Sequence, residues 1–280
     1  MGPALFDRKW EVRIGTKEKG GLDVSELRTA FHVKKTLKRE PNTCELKIWN
    51  LSEESRAKLS AKALDVSLNA GYAATGVHQL YLGQVRSAVS RVDGPDIITT
   101  VSSGDGEKAQ QGTWINQPVG PATPALQVFQ AIVQELGKKG VGAGNAAELA
   151  ALLSARGIAT FHPTGGVLSG NAAMVLTDLC RSAGIEWSIQ DGVIQFVDVI
   201  KPRSNFAVLL SPATGLKGSP AVNAKGEVDA KCSLIPGLRP GDLVVFDSVA
   251  VKGGYKITEI EYVGDTHGDE WDAEIKCTRF

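Results

Sequence analysis

Cysteine is scarce in this chain and widely scattered. Its four cysteines, Cys44, Cys180, Cys232 and Cys277, form no C-x-x-C pair, so neither a disulfide framework nor zinc-ligand spacing is present. They read as small buried hydrophobes of a protein kept in a reducing compartment. Charge of either sign is not in excess, with 31 Lys and Arg against 31 Asp and Glu. A dedicated nucleic-acid binder carries a basic surplus, and the balance argues against that class. It is compatible with self-association. No run of about 18 apolar residues occurs, so no transmembrane helix is expected. The opening M-G-P-A-L-F-D-R-K-W lacks the apolar stretch of a signal peptide. Assembly in the cytoplasm fits these absences.

Catalytic motifs are missing as well. Gly140, Gly142 and Gly144 do not match G-x-G-x-x-G, and no Gly-Lys-Ser or Gly-Lys-Thr accompanies them, so the tract reads as a flexible loop between helices. There is no H-E-x-x-H and no G-x-S-x-G. His32, His78, His162 and His267 have no partner at i+3 or i+4 that would make a metal pair. Asp265 and His267, two apart in a Gly-flanked segment, suit a tight turn with Asp265 capping its own backbone better than an acid–base pair. No catalytic residue, metal or cofactor is expected.

What is present is an ordinary globular composition, 42% apolar and 22% charged. Its 280 residues suffice for one large or two to three small domains. Residues 1–112 read as mostly β. W-E-V-R-I-G (10–15), L-R-T-A-F-H-V-K-K (27–35) and T-C-E-L-K-I-W-N-L (43–51) alternate with the period of half-buried strands. Ser52 is placed to cap a short helix over 53–63. Strands follow at 65–72, 79–90 and 97–103, with Gly83 marking a bulge or close backbone approach. Lys34, Lys35, Lys38 and Arg39 form a cluster that reads either as a surface for phosphate or an acidic partner or, preferably, as the solvated face and tip of a hairpin. Five tryptophans, Trp10, Trp49, Trp114, Trp187 and Trp271, are mostly expected in the core, with some at subunit contacts.

Residues 113–210 switch period. Helical spacing covers 125–137, with Thr123 as N-cap and Pro124 in the first position. Asn145 caps a second helix ending near 156–157, a short strand is expected at 158–161, and a third helix covers 171–183. Asp191-Gly192 between two strand-like runs predicts a type I′ hairpin.

Residues 211–280 return to strands, at 228–234, 243–249, 255–263 and 274–280. Turns are expected at Pro236-Gly237, Pro240-Gly241, Gly253-Gly254 and Gly264-Asp265. Short antiparallel strands of this kind bury a core best by closing into a barrel. The fold class expected is therefore α+β, mostly β, with two β-rich segments on either side of a small α+β domain.

The series T-G-L-K-G-S-P, P-G-D-L-V-V-F-D-S and G-G-Y-K-I-T-E-I-E-Y-V-G-D-T-H-G-D-E-W resembles the C-terminal barrel of bacteriophage baseplate hub proteins. These are the central ring proteins of contractile tails and related injection systems. W-E-V-R-I-G, C-E-L-K-I-W-N-L-S and G-I-E-W-S-I-Q-D-G-V-I-Q-F are similar to the same family, so the resemblance covers nearly the whole chain. It implies two tail-tube-like antiparallel barrels, with family-motif residues Gly215, Leu216, Gly218, Pro240, Gly241, Tyr255, Gly264, Asp265 and Trp271 holding the turns and packing of the second. It implies a homotrimer whose pseudo-sixfold ring meets the tail tube protein on one side and the spike protein on the other, among other baseplate proteins, with DNA only as cargo passing through the lumen. Lys34, Lys35, Lys38, Arg39 and Trp49 are the candidate interface residues. The alternatives are the tip hub of a non-contractile tail and a tail-associated protein that binds or degrades peptidoglycan.

Overall fold

The computed structural model describes residues 5, 7–16, 20–60, 63–161, 163–203 and 207–280. His162 and the first four residues lie outside the described residues. The chain is mostly β, 50% strand and 19% helix. It divides into two compact units. One comprises Met1–Thr36, Asn42–Asp105 and Ser204–Phe280, and the other Leu37–Pro41 and Gly106–Arg203.

The first unit begins with β1 (Arg8–Thr16), β2 (Gly20–Asp23), β3 (Thr29–Thr36), β4 (Thr43–Trp49), α1 (Glu53–Lys58), β5 (Asp65–Tyr72), β6 (Gly76–Asp93) and β7 (Asp96–Gly104). Ser52 caps α1 by accepting from the Ser55 amide, as its side chain predicts. The helix stops at Lys58, short of the expected 53–63. β2 is an element the sequence reading did not include. At Gly83 a Cβ would meet the Tyr81 hydroxyl at 2.2 Å and the Gly104 carbonyl oxygen at 2.9 Å. That glycine therefore serves a close approach, and the ladder shifts register on either side of it, between Leu68 and Asn69 against β5 and between Val85 and Ser87 against β7.

In the second unit α2 (Glu107–Gly112) and β8 (Trp114–Val119) precede α3 (Ala125–Gly137) and α4 (Ala146–Ala155). β9 (Gly166–Asn171), α5 (Ala172–Ala183), β10 (Ile185–Gln190) and β11 (Val193–Asp198) follow. α3 spans the predicted residues, but Pro124 is its N-cap, while the Thr123 hydroxyl donates back to the Gly120 carbonyl. The strand expected at 158–161 is absent, and the strand of this region is β9, paired with β8. Asp191 and Gly192 both have positive φ, 56° and 79°, the type I′ geometry the dipeptide favours. The glycine tract is not a free loop. Gly142 bonds to Gly192 and Ile194, and a Cβ on Gly144 would sit 2.0 Å from the Ile194 carbonyl oxygen. The helices and the β10–β11 hairpin close over Phe129, Ile132, Leu136, Leu176, Trp187 and Phe196.

The chain then returns to the first unit with β12 (Ala207–Leu210), β13 (Leu216–Val222), β14 (Val228–Ser233), β15 (Leu243–Asp247), β16 (Lys252–Asp265) and β17 (Trp271–Arg279). All thirteen strands of this unit join one sheet, in the order β13-β14-β17-β16-β3-β4-β7-β6-β5-β1-β2, with β15 on β16 and β12 on β15. The ladder runs through both β-rich segments of the sequence, and among the described residues no closed barrel is found. The β12–β15 pair is parallel, where only antiparallel pairs were expected. Gly253 and Gly254 lie inside β16, opposite Phe246 and Val245, so the hairpin turn falls earlier, where Ser248 and Val251 exchange hydrogen bonds. Gly264 and Asp265 are likewise strand residues, and the turn follows them.

Candidate functional site

The centre of the first unit is the seam where β3 pairs with β16, residues more than 220 apart in sequence. Strand period sorts the two sides. Inward go Phe31 and Val33 from β3 and Ile260 and Tyr262 from β16, all buried in one core. Outward go His32 and Lys34, facing Glu259 and Glu261. The Lys34 ammonium donates to Glu261 at 2.8 Å and to Glu259 at 3.1 Å. His32 Nε2 lies 2.9 Å from Glu261, and Lys276 of β17 donates to Glu259 at 2.6 Å. The pattern extends across the same face, where Lys217 and Lys231 converge on Asp272 and Lys231 also bonds Glu274. A groove of about 470 Å³ runs over these strands.

Electrostatics at the seam follow from this geometry. Burial pushes the Glu259 carboxyl up, but the ammonium groups of Lys276 and Lys34 outweigh it and hold it below its ordinary value. Burial acts the same way on Glu261, outweighed by Lys34 and His32. Donating to Glu261 raises Lys34, and donating to Glu259 raises Lys276. A carboxyl depressed in the folded state contributes stability above its unfolded value, about 4. That contribution is lost as pH falls through the folded value. The lysines contribute below about 10.4 and lose their contribution at higher pH. Urea midpoints are therefore expected to fall between pH 5 and pH 3 (about the carboxylate range), and Lys34→Met is expected to flatten that dependence. A wild-type and a variant profile of equal steepness would remove the seam from the account.

At one end of the seam a second cluster forms. Asp265 accepts from the Arg28 guanidinium at 2.7 Å, and its Oδ1 accepts from the His267 amide, the self-capping expected of it. Arg28 in turn stacks over Trp49, 4.3 Å from the ring centroid. Arg8 donates to the carbonyls of Gly268 and Asp269 at 2.6 and 2.8 Å and lies over the Trp271 ring. Trp271 is only 2% exposed. It packs edge to face on Phe31 and Trp10, with centroids at 5.3 and 6.1 Å.

Of the residues singled out from the sequence, Gly264, Asp265, Trp271 and, under Arg28, Trp49 come together here. The other family-motif residues are elsewhere. Gly215 (φ 103°) ends a single 3-10 turn before Leu216, buried opposite Cys232. Gly218 (φ 68°) sits at the register shift of β13. Pro240 and Gly241 (φ 96°) turn the chain into β15, with the Gly241 amide donating to Ile257. Tyr255 is buried against Phe246, 5.5 Å between centroids.

The basic cluster is split by strand period. Lys34 joins the ion lattice, Lys35 is 1% exposed, and Lys38 and Arg39 are exposed. Reading Lys35 as part of a solvated face is thus corrected, because it occupies the inward position between Lys34 and Thr36. Of the five tryptophans, Trp114 stands outside the core at 71% exposed. All four cysteines are buried free thiols, and burial pushes Cys232 up to about 12. The residues the sequence reading missed are Arg8, Arg28, Glu259, Glu261 and Lys276. Only Glu259 and Glu261 carried a signal, the alternation K-I-T-E-I-E-Y, which marks carboxylates on one strand face without naming the strand opposite.

The model of the Baseplate hub gp41 family matches residues 12–277. The chain belongs to that family. It is accordingly a structural component of the phage tail baseplate, located in the virion tail. Nothing matches among curated protein sequences. Solved structures share the fold of this hub chain. A 43 kDa tail protein of prophage MuSo2 from Shewanella oneidensis is similar at 12% identity with a TM-score of 0.63, covering 97% of this chain and 98% of that one. A tail protein from Neisseria meningitidis is similar at 10% identity and a TM-score of 0.63, covering 96% of each. A type VI secretion system component of E. coli, itself structurally similar to the T4 tail proteins gp27 and gp5, matches at 11% identity and a TM-score of 0.57. That match covers 97% of this chain and 77% of its own. Among the described residues no helix is long and apolar enough to cross a membrane, and no group of three or more His, Cys, Asp or Glu side chains is placed to hold a metal.

Proposed function

We propose that this hub chain acts without catalysis, as one subunit of a homotrimeric ring at the centre of a contractile-tail baseplate. The ring joins the tail tube to the spike. The observation that carries this reading is the β3–β16 seam, which ties the N-terminal and C-terminal β-rich segments into one sheet. Each subunit then offers two tube-like lobes, from residues 1–112 and 211–280, with 113–210 as the α+β domain between them. Three subunits supply six such lobes, the number needed to meet a hexameric tube, and the threefold axis suits a trimeric spike. Heterologous contacts between neighbouring subunits close such a ring. In this reading Gly215, Gly218 and Gly241 hold the left-handed turns of the second lobe, and exposed Lys38 and Arg39 belong to contacts with other baseplate proteins.

Light scattering coupled to size exclusion tests the reading. The expected mass is three times the 29.7 kDa chain, either alone or on co-expression with the neighbouring tube and spike proteins. A monomer that persists with both partners present would overturn it. A peptidoglycan zymogram is expected to stay blank, and lysis by the purified chain would replace the structural role with an enzymatic one.

A further inference from the structure

We propose that the open edge of the β8–β9 ribbon in the second unit is a docking site for one extended, uncharged strand of another baseplate protein. Among the described residues β8 and β9 pair only with each other. Ile115 and Leu168, each 4% exposed, turn one face of the ribbon into the core of that unit. Trp114, Asn116, Pro118, Val167 and Ser169 are exposed, with Trp114 at 71% and Val167 at 60%. The Ala172 amide donates to the Thr113 carbonyl, and this bond fixes the alternation of the ladder. Ile115 and Gly170 are then a hydrogen-bonded pair, as are Gln117 and Leu168. Asn116 with Ser169, and Pro118 with Val167, are the non-hydrogen-bonded pairs between them. Residues of such pairs turn their amides and carbonyls away from the partner strand. Val167 and Ser169 therefore present theirs on the outer edge of β9.

The two edges of the ribbon differ. On β8 the outward donor at position 118 is missing, because that residue is proline, and such an edge resists a further strand. The edge strand β13 of the large sheet carries Lys217 and Pro220, both common guards. β9 carries neither. Its sequence G-V-L-S-G-N, like W-I-N-Q-P-V of β8, has no charged residue, in a chain that is 22% charged. An exposed strand edge without charge or proline is a template for a pairing strand. The missing charge also selects the occupant, since a charged strand would find no ion to pair with on this ribbon. Trp114 and Val167 share the exposed face, so apolar side chains at alternate positions of the incoming strand suit it. A second copy does not fit. Head-to-tail pairing would set β8 of one copy on β9 of the next, at the edge where Pro118 has no donor. A twofold β9–β9 contact has no place around a threefold axis, and this last step alone rests on the ring reading.

Hydrogen exchange of the full chain, read by mass spectrometry, tests this with synthetic peptides as probes. The first probe is N-acetyl-Thr-Val-Thr-Val-Thr-amide. The second is the same peptide with every backbone amide methylated, and the third has lysine in place of each threonine. The first is expected to slow exchange saturably in fragments covering 166–171. The methylated and lysine peptides are expected to bind about ten-fold more weakly, the scale of a lost hydrogen bond. Val167→Pro removes an outward donor and leaves the ladder to β8 intact, so it is expected to weaken the first probe by about ten-fold as well. Ser169→Lys places a guard at an exposed position and is expected to act in the same direction. Absence of saturable protection would overturn the proposal, as would equal binding of the methylated or the lysine peptide. Protection of the same fragments that grows with protein concentration, without peptide, would give the edge to a second copy instead. Light scattering separates this site from the ring. Both variants are expected to keep the wild-type mass, and a mass that falls together with probe binding would move the edge into the ring and sink the proposal. A wild-type chain that binds the first probe but stays monomeric with its partners would fail the ring reading and leave the docking site standing.

Discussion

Gly264→Val is expected to destabilise the first unit by about 3 kcal/mol or more, at the upper end for overpacking a core, and to lower soluble yield. Gly264 is extended strand backbone, so the reason is space. A Cβ there would stand 2.3 Å from the tip of the Phe31 ring. That ring cannot swing away, because it is buried at the seam and held edge to face by Trp271. Relief would require β3 and β16 to separate, which would break the ion lattice on the opposite face. Urea unfolding of the purified variant reads the loss directly. The contact is isolated with Gly264→Ala, Phe31→Leu and the double variant. Shortening the ring tip is expected to make the double variant more stable than the sum of the singles predicts. Strict additivity would show that Phe31 is not the obstacle.

Trp271→Ala should cost about 3 to 5 kcal/mol, the usual range for emptying a buried aromatic site. The indole fills the space between Trp10 and Phe31 and lies under Arg8, so its removal leaves a cavity with aromatic walls from β1 and β3. Its Nε1 has no hydrogen-bond partner among the described residues, so the cost is one of packing. Trp271→Phe should therefore retain most of the stability, since a smaller ring keeps part of the contact and breaks no bond. Denaturant midpoints for the two variants decide the matter. A loss below about 1 kcal/mol for Trp271→Ala, the level of a surface substitution, would mean that the cluster does not hold β17 to β1 and β3. A loss for Trp271→Phe equal to that for Trp271→Ala would assign the role to the indole nitrogen.

These two positions also show where sequence reasoning stopped. Gly264 and Trp271 were singled out by a family motif, and Gly264-Asp265 and Gly253-Gly254 were read as turns. Glycine has two uses, positive φ and close approach, and only the neighbours distinguish them. Gly264 sits under Phe31, and a Cβ on Gly254 would meet the Phe280 ring at 3.3 Å. Both are close approaches within a strand. Asp191-Gly192 was readable because its turn depends on the dipeptide alone. The same holds for the caps Ser52 and Asn145, each of which bonds an amide two or three residues ahead.

The basic cluster is a sharper case. Four cations within six positions, from Lys34 to Arg39, look like one patch on paper. Strand alternation turns Lys34 outward to Glu259 and Glu261 and Lys35 inward, and Lys38 and Arg39 lie beyond the end of β3. Lys38 and Arg39 are exposed there. The alternation was legible, but which face would be core depended on β16, more than 220 residues away.

By itself, then, the sequence determined what local physics controls: helices α3, α4 and α5, the Ser52 and Asn145 caps, the β10–β11 turn, the strand-rich ends, the absence of catalytic spacing and, through its motifs, the family. The tertiary structure alone decided that both β-rich ends enter one sheet, that β12 runs parallel to β15, and that carboxylates of β16 neutralise lysines of β3 and β17. It also decided that Trp114 is left outside while Lys35 is taken in. The reason is the same in each case. A strand's pattern specifies two faces and a period of two, and its partner and register are chosen by pairing energies summed over residues that are remote in the chain.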